Sequence, residues 1–126
     1  MAKIKIAQNP TFKAPVLIPI VGDEPEQIEF TFKYRDREEL AALFDAWNLK
    51  RREIRETLGE TPTLSEIVAA DTEQQVQQIK DLVLGWGFDD KFDDQSIKAF
   101  VKSCQGATEA VVNAYEGAYG RARLGN

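Results

Sequence analysis

Residues 12–34 alternate between apolar and polar with the period of strands. Phe12, Ala14, Val16, Ile18 and Ile20 alternate with Lys13, Pro15, Leu17, Pro19 and Val21. Ile28, Phe30, Phe32 and Tyr34 alternate with Gln27, Glu29, Thr31 and Lys33, which gives one apolar and one wet face. Between the two runs, Val21-Gly22-Asp23-Glu24-Pro25-Glu26 is rich in turn residues, and together they predict a β-hairpin. Centred on Glu24, it sets Ile18 opposite Phe30 and Val16 opposite Phe32. Pro15 and Pro19 lack N–H donors on the same side of the first strand, which predicts that strand at a sheet edge. Lys3-Ile4-Lys5-Ile6 allows a further short strand. A hairpin alone is marginal in water. Its apolar face, Val16, Ile18, Phe30 and Phe32, therefore predicts a cover of helices or another subunit.

After Tyr34 the period changes to that of helices. Asp36-Arg37-Glu38-Glu39 fits a capping box. Leu40, Leu43, Phe44, Trp47, Ile54 and Leu58 follow at helical spacing, and Gly59 ends the run. Thr63-Leu64-Ser65-Glu66 is a second capping box after Pro62. Leu64, Ile67 and Val68 open the next stripe, and Val76, Ile79, Leu82, Val83 and Trp86 continue it. Asp71-Thr72 offers another cap, so the spacing allows a break there.

Two more helices close the chain. Ile97, Phe100, Val101 and Cys104 fall on one face, with Asp93 and Asp94 at the start and Gly106 as the stop. A last helix runs from about Thr108 to Leu124, with Val111, Tyr115, Ala118 and Ala122 as its apolar stripe. The expected fold is α+β: an N-terminal β-hairpin followed by a small bundle of four to five helices. A chain of 126 residues has room for one core. A single domain over 1–126 is expected, with a hairpin region at 1–35 and a helical region at 36–126.

Composition narrows the function by exclusion. The 43% apolar and 29% charged residues describe a globular chain rather than a disordered one. The net charge is −5 and there is no histidine. Residues 1–58 balance ten basic against ten acidic groups, whereas residues 59–126 hold six against eleven. Phosphate binding needs a basic face, so no nucleic-acid partner is expected. The basic cluster Lys50-Arg51-Arg52 with Arg55 is interleaved with Glu53 and Glu56, which suits a solvated helix face. No apolar run is long enough to span a bilayer, and the N-terminal MAKIKIAQNP has no signal-peptide core, so no membrane partner is expected. A lone cysteine suits a reducing, cytoplasmic setting.

Catalytic and cofactor chemistry find no support. Without histidine there is no Ser/His or Cys/His pair and no His-supported zinc site. Cys104 falls on the inward face of its helix and reads as a buried thiol. Gly117 and Gly120 lie inside a helix pattern, not in a phosphate loop after a strand. The run Asp89-Asp90-Lys91-Phe92-Asp93-Asp94 fails as a calcium loop, because its sixth and twelfth positions are Asp94 and Phe100. No enzyme, no metal and no cofactor is the expectation.

Two groups of residues suggest contact instead. Trp86, Phe88 and Phe92 crowd a loop between helices and read either as core or as a partner-binding surface. Ala110, Ala114, Ala118 and Ala122 recur every fourth residue, with Gly117 and Gly120 nearby. Each glycine costs a helix interior about 1 kcal/mol relative to alanine, which close approach of another helix would offset. Packing inside the monomer and self-association fit this column equally.

Four stretches carry a family resemblance: Asn9-Pro10-Thr11-Phe12, then Phe30-Thr31-Phe32-Lys33-Tyr34-Arg35 running into Arg37-Glu38-Glu39-Leu40, then Gly85-Trp86 with the acidic residues around Phe92. Last come Gly106-Ala107, a helix with Tyr115, and the ending Ala122-Arg123-Leu124-Gly125-Asn126. In these the chain resembles the tail assembly chaperones of long-tailed phages and prophages. The resemblance implies a protein of the host cytoplasm during virion assembly, absent from the finished particle. It implies binding to the tape measure protein and help in recruiting tail tube subunits. A client so long implies many copies acting together, hence a homo-oligomer. The alternative is a small structural tail or head–tail component that stays in the virion.

Overall fold

A computed structural model describes residues 11–123, with side chains to Tyr119. Strand β1 (Thr11–Ile18) pairs antiparallel with β2 (Glu26–Lys33). The hairpin forms as expected, in a different register. Phe12 lies opposite Phe32, Ala14 opposite Phe30 and Val16 opposite Ile28. The expected partners of Phe30 and Phe32 were Ile18 and Val16. The reason is that β1 stops at Ile18, before Pro19, so Ile20 and Val21 join the turn and move its centre towards the N-terminus. Side-chain direction has period two, so this slide by an even number of residues leaves the same side chains facing inward. The expected strand at Lys3–Ile6 lies outside the described residues.

Helix α1 (Arg37–Leu58) begins at the expected capping box. Glu39 N donates to Asp36 Oδ1 at 2.8 Å, and Asp36 N donates to Glu39 Oε1 at 3.0 Å. It ends at Gly59, whose φ of 80° suits a residue without Cβ. Helix α2 (Leu64–Leu82) begins at the second box, with Glu66 N donating to Thr63 Oγ1 at 3.1 Å. It runs without a break through Asp71-Thr72. There the Thr72 hydroxyl donates to the Val68 carbonyl one turn back, at 2.8 Å, instead of capping a new helix.

Two features of α2 differ from the sequence pattern. Leu64, Ile67 and Val68 face solvent rather than the core, and the first turns of α2 lie beside the distal half of α1. The helix also stops at Leu82, and Val83–Trp86 forms a third strand, β3. β3 pairs antiparallel with the free side of β2, matching Trp86 to Phe30 and Val83 to Phe32 across a bulge. Val83 is buried and Leu84 exposed, the alternation of a strand. Two cations help to end α2, since Lys33 Nζ donates to Lys80 O at 3.1 Å and Arg35 Nη2 to Asp81 O at 2.7 Å. Positive charge at the last carbonyls of a helix complements its dipole. The sheet order is β1-β2-β3, so the proline-bearing strand is at an edge as expected.

Helix α3 (Asp94–Ser103) is capped by Asp93, and α4 (Ala107–Arg123) follows Gly106. Leu124, the expected end of α4, lies outside the described residues. The architecture is thus α+β, a hairpin-based sheet with four helices among the described residues. The inner sheet face of Ala14, Val16, Ile18, Phe30, Phe32 and Val83 is covered by α2, α3 and α4. Ile79, Leu82, Ile97, Phe100, Ala107, Val111 and Tyr115 supply the cover. Full burial of a large apolar side chain contributes about 1.5–3 kcal/mol, which is what holds the hairpin in place. Helix α1 rests mainly on α2.

Candidate functional site

The end of β3 turns back at Gly87, where the chain passes close to the sheet. A Cβ there would sit 3.3 Å from the Glu29 carbonyl oxygen and 3.4 Å from Ile28 Cγ2, so glycine lets the backbone approach. This turn gathers the three predicted aromatics into one corner. The Trp86 ring lies 5.1 Å from Phe88 and 5.0 Å from Phe92, each edge-on. It also meets Phe100 at 5.5 Å and Phe30 at 6.1 Å. Edge-to-face contacts add about 0.5–1.5 kcal/mol per pair beyond burial. The indole N–H donates to Asp90 O at 2.8 Å, which ties the acidic loop to the ring. All three aromatics are half-buried, with inner edges on the core. Phe92 has Trp86 as its only ring neighbour among the described residues.

The acidic residues that follow serve the helix. Asp93 Oδ1 accepts from Ser96 N at 2.9 Å, and this bond holds its carboxyl below the usual range, with Lys91 adding to the effect. Among the described residues, no group of three or more His, Cys, Asp or Glu is placed to hold a metal ion. No helix among them is long and apolar enough to cross a membrane.

The small-residue column lies beside the buried stripe of α4. Ala107, Val111 and Tyr115 point into the core, while Ala110, Ala114 and Ala118 are half-buried at its margin. Part of the column is thus used within the monomer, and Gly117 is exposed. The side chain of Ala122 lies outside the described residues. Cys104, expected to be buried, is half-buried.

A third surface escapes the sequence pattern. Between α1 and α2 on one side and the start of α4 on the other runs an open groove of about 860 Å³. Phe44, Trp47 and Val112 supply its apolar part. The rest is polar: carboxamides of Gln74, Gln75, Gln78, Gln105 and Asn113, and carboxylates of Asp71, Glu109 and Glu116. Gln74 and Gln78 are buried, continuing the Leu82 row towards the N-terminus at i, i+4, i+8. The Gln74 amide donates to the Trp47 carbonyl at 3.0 Å, and Trp47 Nε1 donates to Asp81 Oδ2 at 2.8 Å. Gln77 donates to the other oxygen of Asp81 at 2.9 Å, so Asp81 clamps α1 to α2. Thr108, only 5% exposed, has a buried hydroxyl with no hydrogen-bond partner. A buried polar group left this way costs about 1–3 kcal/mol. The i, i+4 pair of glutamines in line with Leu82 is the sequence signal that could have found this groove.

A family model described as phage tail assembly chaperone matches residues 1–126. Neither a curated protein nor a solved structure matches the chain.

Proposed function

The chain belongs to the phage tail assembly chaperones, and from that membership we propose that it binds the tape measure protein during tail assembly. In this reading it keeps that client soluble in the host cytoplasm and helps to bring tail tube subunits to it. It acts by binding and not by turnover, as one domain whose hairpin and helices share a core. The observation that carries the reading is the family match over the whole chain. The half-buried aromatics Trp86, Phe88 and Phe92 and the polar groove supply contact surface in support. Several copies act on each client, and the margin of α4 at Ala110, Ala114 and Ala118, half-open beside exposed Gly117, supplies a place for helices to meet.

The test is co-expression with the tape measure and tail tube proteins of the same phage. The tape measure protein is expected to stay soluble and to co-purify with this chain, and to precipitate without it. Immunoblots of purified virions separate the chaperone from a structural tail component. The chain is expected in lysates and absent from particles. A stoichiometric band in particles would favour the structural reading.

A further inference from the structure

We propose that the groove between α1, α2 and α4 is a docking site for a short basic, amphipathic peptide segment. The proposal rests on the reading that this chain holds a protein client, and adds where and by what chemistry. Charge complementarity selects the occupant. Asp71, Glu109 and Glu116 line the groove, with Arg51 as the one basic side chain among the described lining residues. Among the described residues, Glu109 and Glu116 form no ion pair, while Arg51 is turned to Asn48 Oδ1 at 3.1 Å. Among the described residues the wall thus presents more carboxylate than cation to whatever enters. Beside them, Trp47 and Val112 offer an apolar strip for one or two side chains.

The carboxamides point to a peptide rather than a small apolar ligand. Gln74 and Gln75 already donate to Trp47 O and Asp71 Oδ2, while the carboxamides of Gln78, Gln105 and Asn113 can each both donate and accept, as a peptide backbone or an amide side chain requires. Most small-molecule pockets are lined mainly by apolar groups, whereas this groove is about evenly divided between polar and apolar surface. Lysine or arginine flanking an apolar side chain would meet the carboxylates and the strip together.

The test is an isotope-edited NMR titration of the whole chain with three short synthetic peptides: Lys/Leu at helical spacing, Glu/Leu at the same spacing, and Lys/Ser. The Lys/Leu peptide is expected to bind and to shift resonances of Trp47, Gln78, Thr108 and Val112. The double variant Glu109→Gln/Glu116→Gln, which keeps the shape of both side chains, should weaken that binding about tenfold. Tighter or equal binding by Glu/Leu or Lys/Ser, shifts confined to other surfaces, or saturable binding of a second copy of this chain in the groove would overturn the proposal. Capture of the tape measure protein separates the two levels. If the wild type captures it and the double variant captures it equally, the groove proposal fails and the chaperone reading stands. If the wild type does not capture it, that reading fails, and the peptide titration alone decides whether the groove binds basic segments.

Discussion

The Tyr115 hydroxyl donates a 2.9 Å hydrogen bond to the main-chain carbonyl of Lys33, latching the last helix to the end of the central strand. Its ring lies 5.5 Å from Phe32 and 5.3 Å from Phe12, so one side chain joins both strands of the hairpin to α4. Tyr115→Phe keeps the ring and removes the donor, and should cost about 0.5–1.5 kcal/mol. Tyr115→Ala also leaves a cavity and should cost about 3–5 kcal/mol. Urea denaturation of both variants checks the ordering. Equal losses would mean that the hydroxyl carries the whole effect.

The same residue predicts an alkaline weakness. Burial pushes the Tyr115 hydroxyl above its ordinary range, with Arg35 opposing. The folded state therefore keeps this proton longer than the unfolded chain does. Its contribution is complete below about pH 10, and is lost as pH rises through the folded-state value. Tyr115→Phe has no proton to lose here. Its stability should fall less steeply than the wild type above that pH, and parallel curves in a pH series of thermal melts would refute the assignment.

Asp93 predicts the opposite limb. Its carboxyl is held low by the Ser96 backbone N–H, so its contribution is present above about pH 4 and disappears as pH falls through the folded-state value. Asp93→Asn keeps a capping oxygen without the charge. Relative to the intrinsic exchange rate at each pH, the protection of α3 amides should fall on acidification in the wild type and change little in the variant. An equal response in both would place the acid sensitivity elsewhere.

The aromatic corner should divide between core and contact. Trp86 meets rings on several sides, so Trp86→Ala should melt early, with a loss of about 3–5 kcal/mol. Phe92 touches the ring of Trp86 alone among the described residues, and Phe92→Ala should be milder. If the corner also holds the client, Phe92→Ala keeps most of its melting temperature and loses capture. Early melting by all three alanine variants would assign the whole corner to the core.

Asp81 offers a local test. It accepts from Trp47 and Gln77, and α1 rests mainly on α2. Asp81→Ala should therefore loosen α1 without opening the sheet. Amide exchange is expected to rise along α1 and to stay slow in β1 and β2. Faster exchange throughout would show that the clamp serves the entire fold.

How far these features could be read beforehand depended on how local their causes are. The caps at Asp36, Thr63 and Asp93 are settled within four residues, and all three stand where expected. Alternation from Phe12 to Tyr34 fixed which side chains face inward but not their partners, because a two-residue change in the turn leaves the faces unaltered. Val83 and Trp86, three residues apart, fit helical spacing better than strand alternation, and only a bulge in the ladder pairs both with β2. The free side of β2 decided between them, and that is a tertiary cause. The aromatics of the corner were identifiable as a group, yet their mutual geometry needed the Gly87 turn. The groove left only a faint trace, the glutamines at i, i+4 in line with Leu82, because Gln74 and Gln78 look like solvated residues until the packed helices bury them.

The Lys33–Tyr115 latch also sets a clock. The partners are 82 residues apart, and the hairpin is made first. At about 5–20 residues per second of synthesis, the apolar face of Phe30 and Phe32 waits roughly 4–16 s for the helix that seals it. During that interval the nascent chain carries the same kind of exposed apolar surface that a chaperone exists to shield.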